Sequence, residues 1–383
     1  MKKVYLKKCE EYDYDLIYGI IKDSIDKLGG IEKYIEKGET VFIKANLLMA
    51  KKPEKGVTTH PVFVKAVSNY LINENNNEVI VGDSPGGPYN EKALMRVYKE
   101  CGYIEAFKDT EIKLNMNFDS KKINFENGKL LKSVDMIDGL LKADKVISLS
   151  KLKTHGMMKY TGAVKNMFGT IPGILKAEFH FKMPKYETFA DMLIDVCLAS
   201  NPVLSFMDGI IGMEGAGPSN GDIVNSNVIL VSDSPYDLDL VASKLISIDS
   251  ESIPTIKNSL DRNLTDKIES IKILGDEIDS FNIKPFKSPK IEKIDFLNNI
   301  LPEIITKKIN NYIKPKPVFN WDKCIKCRAC YDACPPKTID MEPGEYPKLI
   351  VNGCISCFCC QEMCPVDAID IKRPWILEKL LNN

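Results

Sequence analysis

Eight cysteines near the end of the chain form two copies of one metal-binding pattern. Each copy reads Cys-x2-Cys-x2-Cys-x3-Cys-Pro, the first over residues 324–335 and the second over residues 354–365. This spacing is typical of bacterial 4Fe–4S proteins, in which three thiolates on a tight loop reach three irons of one cubane. The fourth cysteine begins a helix that leads away from that cubane, so it ligates the other one. The two copies therefore predict a small α+β ferredoxin domain with two 4Fe–4S clusters.

The same spacing assigns four ligands to each cluster. For the first cluster these are Cys324, Cys327, Cys330 and Cys364, and for the second they are Cys354, Cys357, Cys360 and Cys334. The alternative is a pair of structural zinc sites. Zinc usually takes its four ligands from two Cys-x2-Cys pairs, which leaves the third cysteine and the proline of each motif unexplained. Cys359 lies outside the pattern, and we expect it to be a small buried side chain.

The composition excludes several classes of protein. The chain has 383 residues, 52 of them basic and 53 acidic, so neither nucleic acid nor an anionic membrane is expected as its main partner. Nine of its 12 cysteines lie within residues 324–364, a distribution typical of metal ligands in a reducing compartment rather than of disulfides. No signal sequence and no membrane-spanning segment are predicted, so we expect a cytoplasmic protein.

The long N-terminal region has the pattern of an α/β domain, in which a mostly parallel sheet is flanked by helices. Strands are predicted at 40–44, 78–81, 145–149, 202–207, 228–232 and 271–274, and helices at 61–74, 91–101, 134–142, 187–199 and 235–247. In such sheets the functional residues collect beyond the carboxyl ends of the strands.

One such segment, residues 150–173, is rich in groups that bind anions and transfer protons. We expect His155 to act as a proton donor, and Lys153 and Lys165 to bind a carboxylate or phosphate substrate. The alternative is a solvent-exposed basic loop with a structural histidine.

Two glycine-rich segments, 82–87 and 208–222, are predicted to form the floor of this pocket. Their free backbone N–H groups suit an anion, although glycines that merely permit tight turns are the alternative. Neither segment fits the dinucleotide fingerprint or the phosphate loop, so a nucleotide site is not predicted.

The segments KLKTH, TGAVKNMFGTIPG, GDSPGG and DGIIGMEGAGP together resemble the domain of unknown function 362 family, over nearly all of residues 40–250. Members of that family often carry a C-terminal pair of 4Fe–4S motifs. The resemblance therefore implies a cytoplasmic iron–sulfur protein of this architecture and leaves its activity open. A weaker likeness is to the N-terminal domain of nickel-dependent lactate racemase, which also has histidines and a lysine near glycine-rich loops. This weaker likeness assigns no catalytic role to any residue of this sequence.

These observations predict four parts in the chain. They are an α/β domain at 1–279, a basic linker at 280–317, a ferredoxin domain at 318–374 and a tail at 375–383. The linker contains an amphipathic helix at 296–313, which we expect to dock the ferredoxin domain onto the α/β domain, with attachment to a membrane surface as the alternative.

The predicted function is that of an oxidoreductase. Its clusters would take electrons from a redox partner protein and relay them to a substrate or cofactor site in the α/β domain. Two alternatives stay open: an electron carrier whose α/β domain is a docking platform, and a non-redox acid–base enzyme with structural clusters.

Overall fold

The hydrophobic pattern of the long N-terminal region gives a mostly parallel sheet with flanking helices, which confirms the predicted fold class. The computed structural model describes residues 2–173, 175–289, 315–350 and 353–372. The chain divides into two compact units, one formed by Met1–Lys176 and Lys185–Pro289, the other by Ala177–Pro184 and Lys290–Asn383. The helix predicted at 296–313 and the tail predicted at 375–383 lie outside the described residues. None of the described helices is long and apolar enough to cross a membrane.

The strands of the first unit are β1 (Lys3–Lys8), β2 (Thr40–Ala45), β3 (Glu78–Gly82), β4 (Lys113–Leu114), β5 (Ser120–Asn124), β6 (Ser133–Ile137), β7 (Lys145–His155), β8 (Lys159–Thr161), β9 (Leu204–Glu214), β10 (Asp222–Ser232) and β11 (Lys272–Gly275). The helices up to residue 261 are α1 (Tyr14–Leu28), α2 (Pro61–Asn75), α3 (Glu91–Glu100), α4 (Tyr103–Phe107), α5 (Asp138–Leu141), α6 (Ala163–Asn166), α7 (Leu175–Lys182), α8 (Tyr186–Ser200), α9 (Pro235–Leu245) and α10 (Pro254–Asp261).

The central sheet has the strand order β11-β1-β10-β9-β7-β2-β3-β4, with β8 paired to β7. Strands β9, β7, β2, β3 and β4 run parallel to one another. Strand β10 is antiparallel to both of its neighbours, β9 and β1. Because parallel strands end at the same edge of a sheet, the residues that follow β2, β3, β7 and β9 meet at one edge, called the carboxyl edge below.

Strand β7 is longer than predicted, and this corrects the interpretation of its polar end. Residues 150–155 belong to the strand because they pair with β8 and β9. Lys151, Lys153 and His155 are at most 2% exposed. The alternative of a solvent-exposed basic loop is therefore wrong for these three residues.

Two other expectations about local structure are wrong. Residues 134–142 were expected to form one helix, but strand β6 pairs with β5 there and is followed by the short helix α5. Residues 208–214 were expected in a loop and belong to β9. A Cβ on Gly209 would lie 2.8 Å from Val228, and one on Gly212 would lie 2.8 Å from Ser226 Oγ, so these glycines permit close packing of strands rather than turns.

The described part of the second unit is a small α+β fold, as predicted. Strand β12 (Lys316–Phe319) pairs with β15 (Ile369–Lys372), and β13 (Ile339–Asp340) pairs with β14 (Lys348–Leu349), both antiparallel. Helices α11 (Ala329–Asp332) and α12 (Cys359–Glu362) follow the two cysteine loops. Half of its buried core consists of cysteines: Cys330, Cys334, Ile339, Met341, Cys360, Cys364, Ala368 and Ile369. A core of this size needs bound clusters to stabilise it.

In the first unit, Asp195 on α8 holds the turn between β5 and β6. Its carboxylate accepts the backbone N–H groups of Lys129, Leu130 and Leu131 at 2.6–2.9 Å. It also pairs with Arg262 Nη2 at 2.7 Å, and its side chain is 0% exposed. Loss of this carboxylate would leave three N–H groups without their acceptor, and the largely buried guanidinium of Arg262 would keep only the longer contacts with Asp191.

We predict that Asp195→Ala lowers the free energy of unfolding by about 3–5 kcal/mol, the usual cost of removing one partner of a buried ion pair. Glu78→Ala is the control, because it removes a surface pair with Lys113 whose side chains are 47% and 62% exposed. The control should lose less than about 1 kcal/mol. Urea unfolding followed by far-UV circular dichroism measures both variants, and equal losses would contradict the assigned role of Asp195.

Candidate functional site at the carboxyl edge

A buried ion pair joins the ends of β2 and β3. Lys44 Nζ lies 2.8 Å from Asp83 Oδ1, and the two side chains are 1% and 5% exposed. Asp83 Oδ2 accepts the N–H of Leu47 at 2.6 Å, and Lys44 also donates to the carbonyl oxygen of Ala45 at 2.7 Å. Burial lowers the pKa of Lys44, and the Asp83 carboxylate offsets part of that effect. The pair therefore fixes one charge-balanced lysine at the carboxyl edge.

The turn at Met167–Thr170 closes over this ion pair. A Cβ on Gly169 would lie 2.7 Å from Lys44 Nζ and closer still to the Asp83 carboxylate, so only glycine fits. The carbonyl of Gly169 accepts the N–H of Ser84 at 3.0 Å. This contact ties the turn to the glycine-rich segment that follows β3.

Two asparagines connect the ion pair to β7. Asn166 Oδ1 accepts from Lys44 Nζ at 3.2 Å and from Asn46 Nδ2 at 3.4 Å. Asn46 Oδ1 in turn accepts from Lys153 Nζ at 2.8 Å. The same lysine amine donates to the carbonyl of Val57 at 2.7 Å. A continuous line of polar contacts therefore crosses the carboxyl edge from β3 to β7.

Lys176, at the start of α7, adds an amine whose hydrogen bonds go to uncharged oxygens. It donates to the carbonyl and the hydroxyl of Ser84 at 2.7 and 3.3 Å. Burial lowers its pKa from 10.5 to about 7, Asp83 opposes this shift, and the charges of Lys44 and Lys165 add to it. Because the folded pKa is below the unfolded value, the unfolded chain binds more protons between these two pH values. The charged amine therefore costs stability at low pH, and this cost disappears as the pH rises through that window.

A second buried ion pair joins β7 and β9. Lys151 Nζ is 2.8 Å from Asp208 Oδ2, with both side chains at most 1% exposed. The hydroxyl of Tyr12 donates to Asp208 Oδ1 and accepts from Lys151, both at 2.8 Å. The ring of His60 stacks on Tyr12 at 3.6 Å, and burial lowers the pKa of His60 to about 4. These four side chains satisfy one another and tie the segment before α1 to the carboxyl edge.

The structure connects one of the three predicted catalytic residues to the Lys44–Asp83 pair and places a second near Lys176. Lys153 reaches the pair through Asn46 and Asn166. Lys165, half-buried on α6, is close enough for its charge to lower the pKa of Lys176.

His155, the third predicted catalytic residue, lies at the end of β7 and is 0% exposed. Its Nδ1 accepts the backbone N–H groups of Met157 and Met158, both at 3.1 Å. With Nδ1 acting as an acceptor, the neutral ring carries its proton on Nε2.

Several residues of these networks were not predicted from the sequence, among them Asp83, Lys176, Asp208 and Tyr12. A signal existed for two of them, because Asp83 directly follows β3 and Asp208 lies within β9 where it enters the carboxyl edge. Tyr12 and Lys176 are far from those strands in sequence, and no spacing pattern predicts them.

The predicted cluster ligands come together in the second unit. The four cysteines assigned to the first cluster line one cavity: Cys324, Cys327, Cys330 and Cys364. Of the second set, Cys354 and Cys360 are each close enough to Cys334 for their charges to interact.

The fourth cysteine of each motif also receives a backbone hydrogen bond. Thr338 N–H donates to Cys334 Sγ at 3.3 Å, and Ala368 N–H donates to Cys364 Sγ at 3.2 Å. Hydrogen bonds of this kind to sulfur tune cluster potentials. The residues present therefore fit 4Fe–4S clusters.

In the ranges that the structure describes, no three His, Cys, Asp or Glu side chains converge on a position for one metal ion. A cubane instead takes one thiolate at each of four separate irons. Cys359 is buried, as expected.

We predict that replacing two cysteines assigned to the same cluster removes the iron of that cluster alone. Cys327→Ala/Cys364→Ala should retain about four irons per chain, whereas Cys327→Ala/Cys334→Ala should retain almost none, because the second variant damages both clusters. Cys359→Ala is the control and should retain about eight irons. Iron and labile sulfide analysis after anaerobic reconstitution measures this, and equal iron contents in the two double variants would contradict the pairing.

Comparisons with known proteins find a family match in the N-terminal region and another in the C-terminal region. Residues 41–244 match the family described as a domain of unknown function (DUF362), and residues 323–368 match a 4Fe-4S dicluster domain. A thylakoid-associated protein of Synechocystis is 30% identical over 263 residues, which cover 67% of this chain and 78% of that protein.

Two solved structures are more distant. Lactate racemase apoprotein from Thermoanaerobacterium thermosaccharolyticum aligns over 64% of this chain with 10% identity and a TM-score of 0.42. A protein from Thermotoga maritima aligns over 66% with 10% identity and a TM-score of 0.38. The alignments span 57% and 60% of those two chains, less than two thirds of either.

The family match covers more than half of the residues, and it contains the segments that form the polar carboxyl edge. The C-terminal match contains all eight motif cysteines. This chain therefore belongs to the domain of unknown function 362 family and, through its ferredoxin domain, is an iron–sulfur protein.

Proposed function

We propose that this chain is an iron–sulfur oxidoreductase whose substrate is a small anion bound at the carboxyl edge of the sheet. The observation that carries the proposal is Lys176, whose amine contacts neutral oxygens of Ser84 and Ile171 among the described residues. Lys44, in contrast, already has the carboxylate of Asp83. A carboxylate or phosphate beside Lys176 would supply the direct negative contact that this half-buried lysine lacks among the described residues.

The surroundings of Lys176 support a site formed before the ligand binds. Gly173 N–H donates to Ser84 Oγ at 2.7 Å, so the turn before α7 is tied to the segment after β3. Lys165 lies near the same amine. Donors held in place in this way lose little entropy when an anion binds.

The predicted catalytic residues take distinct roles in this proposal. Lys165 and Lys176 bind the anion, and Lys153 positions Asn46 and through it the Lys44–Asp83 pair. His155 is the proton donor, and its ring must first take up a second proton to become imidazolium, because a neutral ring that gave up its Nε2 proton would be left as an imidazolate anion.

When bound, two 4Fe–4S clusters would supply one-electron transfers, with electrons coming from a redox partner protein. The number two follows from the eight motif cysteines. We assign this activity to a reducing compartment such as the cytoplasm, where thiols stay available for cluster assembly.

Reoxidation of the reduced protein tests the proposal. The chain is reconstituted anaerobically, reduced with dithionite, freed of reductant and mixed with small anions that can accept electrons, namely pyruvate, glyoxylate, fumarate and nitrite. We predict that at least one of these anions reoxidises the protein, as followed by visible absorbance. His155→Ala should slow this step about a hundredfold, as expected for a proton donor. Lys165→Gln should raise the KM about tenfold, as expected for a lost charged contact.

Lys142→Gln is the control, because Lys142 lies on the surface with its side chain 68% exposed. It should behave like the unaltered chain. Reoxidation by a protein partner but by none of the small molecules would favour the electron carrier. Unchanged turnover in His155→Ala would exclude it as the proton donor.

A further inference from the structure

The two cysteine loops have the same backbone and different side chains. Lys326 and Arg328 in the first loop have left-handed φ angles of 58° and 65°, and Ser356 and Phe358 occupy the equivalent places in the second at 54° and 63°. The same holds after the fourth cysteines, where Lys337 (53°) corresponds to Asp367 (52°). The first half of this internal repeat therefore has three cations where the second half has a hydroxyl, an aromatic ring and a carboxylate.

The first loop is also the more exposed of the two. Trp321 and Ile325 are 55% and 59% exposed. Cys327 is exposed, whereas Cys357 at the equivalent place is half-buried. Large apolar side chains at the surface mark contact sites, particularly where charged groups surround them.

Aromatic rings hold the three cations around this apolar surface. Lys326 Nζ lies 4.2 Å from the ring centre of Tyr346, which packs 5.7 Å from Trp321. Arg328 and Lys337 lie 4.5 and 5.6 Å from the ring centre of Tyr331. Among the described residues, none of the three cations forms an ion pair with a carboxylate, so each keeps its charge for a partner.

This surface adjoins the cavity assigned to the first cluster. Ile325 and Arg328 line that cavity together with its four cysteines. A protein that binds here would therefore bring its own redox centre close to the first cluster.

We propose that Trp321, Ile325, Lys326, Arg328 and Lys337, together the loop-one face, form the docking surface for a small acidic electron-carrier protein. The cations attract the acidic partner and orient it, and the apolar residues stabilise the encounter complex. The proposal rests on the iron–sulfur part of the proposed function and is independent of the substrate site.

The test uses a bacterial flavodoxin as the probe, because it is a small and strongly acidic one-electron carrier. Binding of oxidised flavodoxin to the full reconstituted chain is measured by isothermal titration calorimetry over a series of salt concentrations. Lys326→Ser/Arg328→Phe gives the first loop the side chains of the second on a backbone that already accommodates them. This variant should bind about tenfold more weakly at low salt, and its affinity should depend less on salt.

The matched control is Lys316→Ser/Lys372→Ser, which removes two cations that face each other across β12 and β15. It should retain at least half of the affinity. Iron content and the electron paramagnetic resonance spectrum of the dithionite-reduced protein verify that both variants hold their clusters.

A salt-independent affinity, or equal weakening in the two double variants, would overturn the proposal. In either case reoxidation by a small anion would still be observed if the proposed function is correct. Failure of that reoxidation together with intact flavodoxin binding would overturn the proposed function alone.

Discussion

The ion pair between Lys44 and Asp83 is the interaction on which the carboxyl edge depends. Burying two charges costs several kcal/mol for each ion, and a short contact offsets this only with additional hydrogen bonds. The pair has such bonds, because Asp83 accepts from Leu47 and Lys44 donates to Ala45 and Asn166. The ends of β2 and β3 are thereby fixed to α6.

Several features of the family segments follow from this pair. Gly169 must be glycine because any side chain would displace the lysine or the carboxylate. Asn166 and Asn46 carry the contact to Lys153, so the ends of three neighbouring strands share one polar network. Lys176 lies beside this network and lacks a carboxylate of its own among the described residues. That difference separates Lys44, whose charge is balanced by Asp83, from Lys176, the amine that we propose binds an anion.

Much of this arrangement could be predicted from the sequence, and the failures have physical causes. The alternation of apolar and polar segments predicted the α/β class, and the cysteine spacing predicted the ferredoxin domain. Strand β7 was predicted to end at Leu149 because the polar residues that follow resemble a loop. They belong to a strand because Asp208, Asn46 and backbone carbonyls satisfy their amines in the interior. Those partners come from distant parts of the chain, which local patterns do not connect.

The proposed binding of an anion by Lys176 is tested most directly by proton uptake. An anion beside this amine must raise its pKa from about 7, so binding at about pH 8 must take up protons. Calorimetric titration of the full chain with oxalate, in two buffers of different ionisation enthalpy, measures that uptake. We expect most of one proton per bound oxalate at about pH 8 and much less at about pH 6, where the amine is already charged. Binding without proton uptake, or equal uptake in Lys176→Met, would contradict the account.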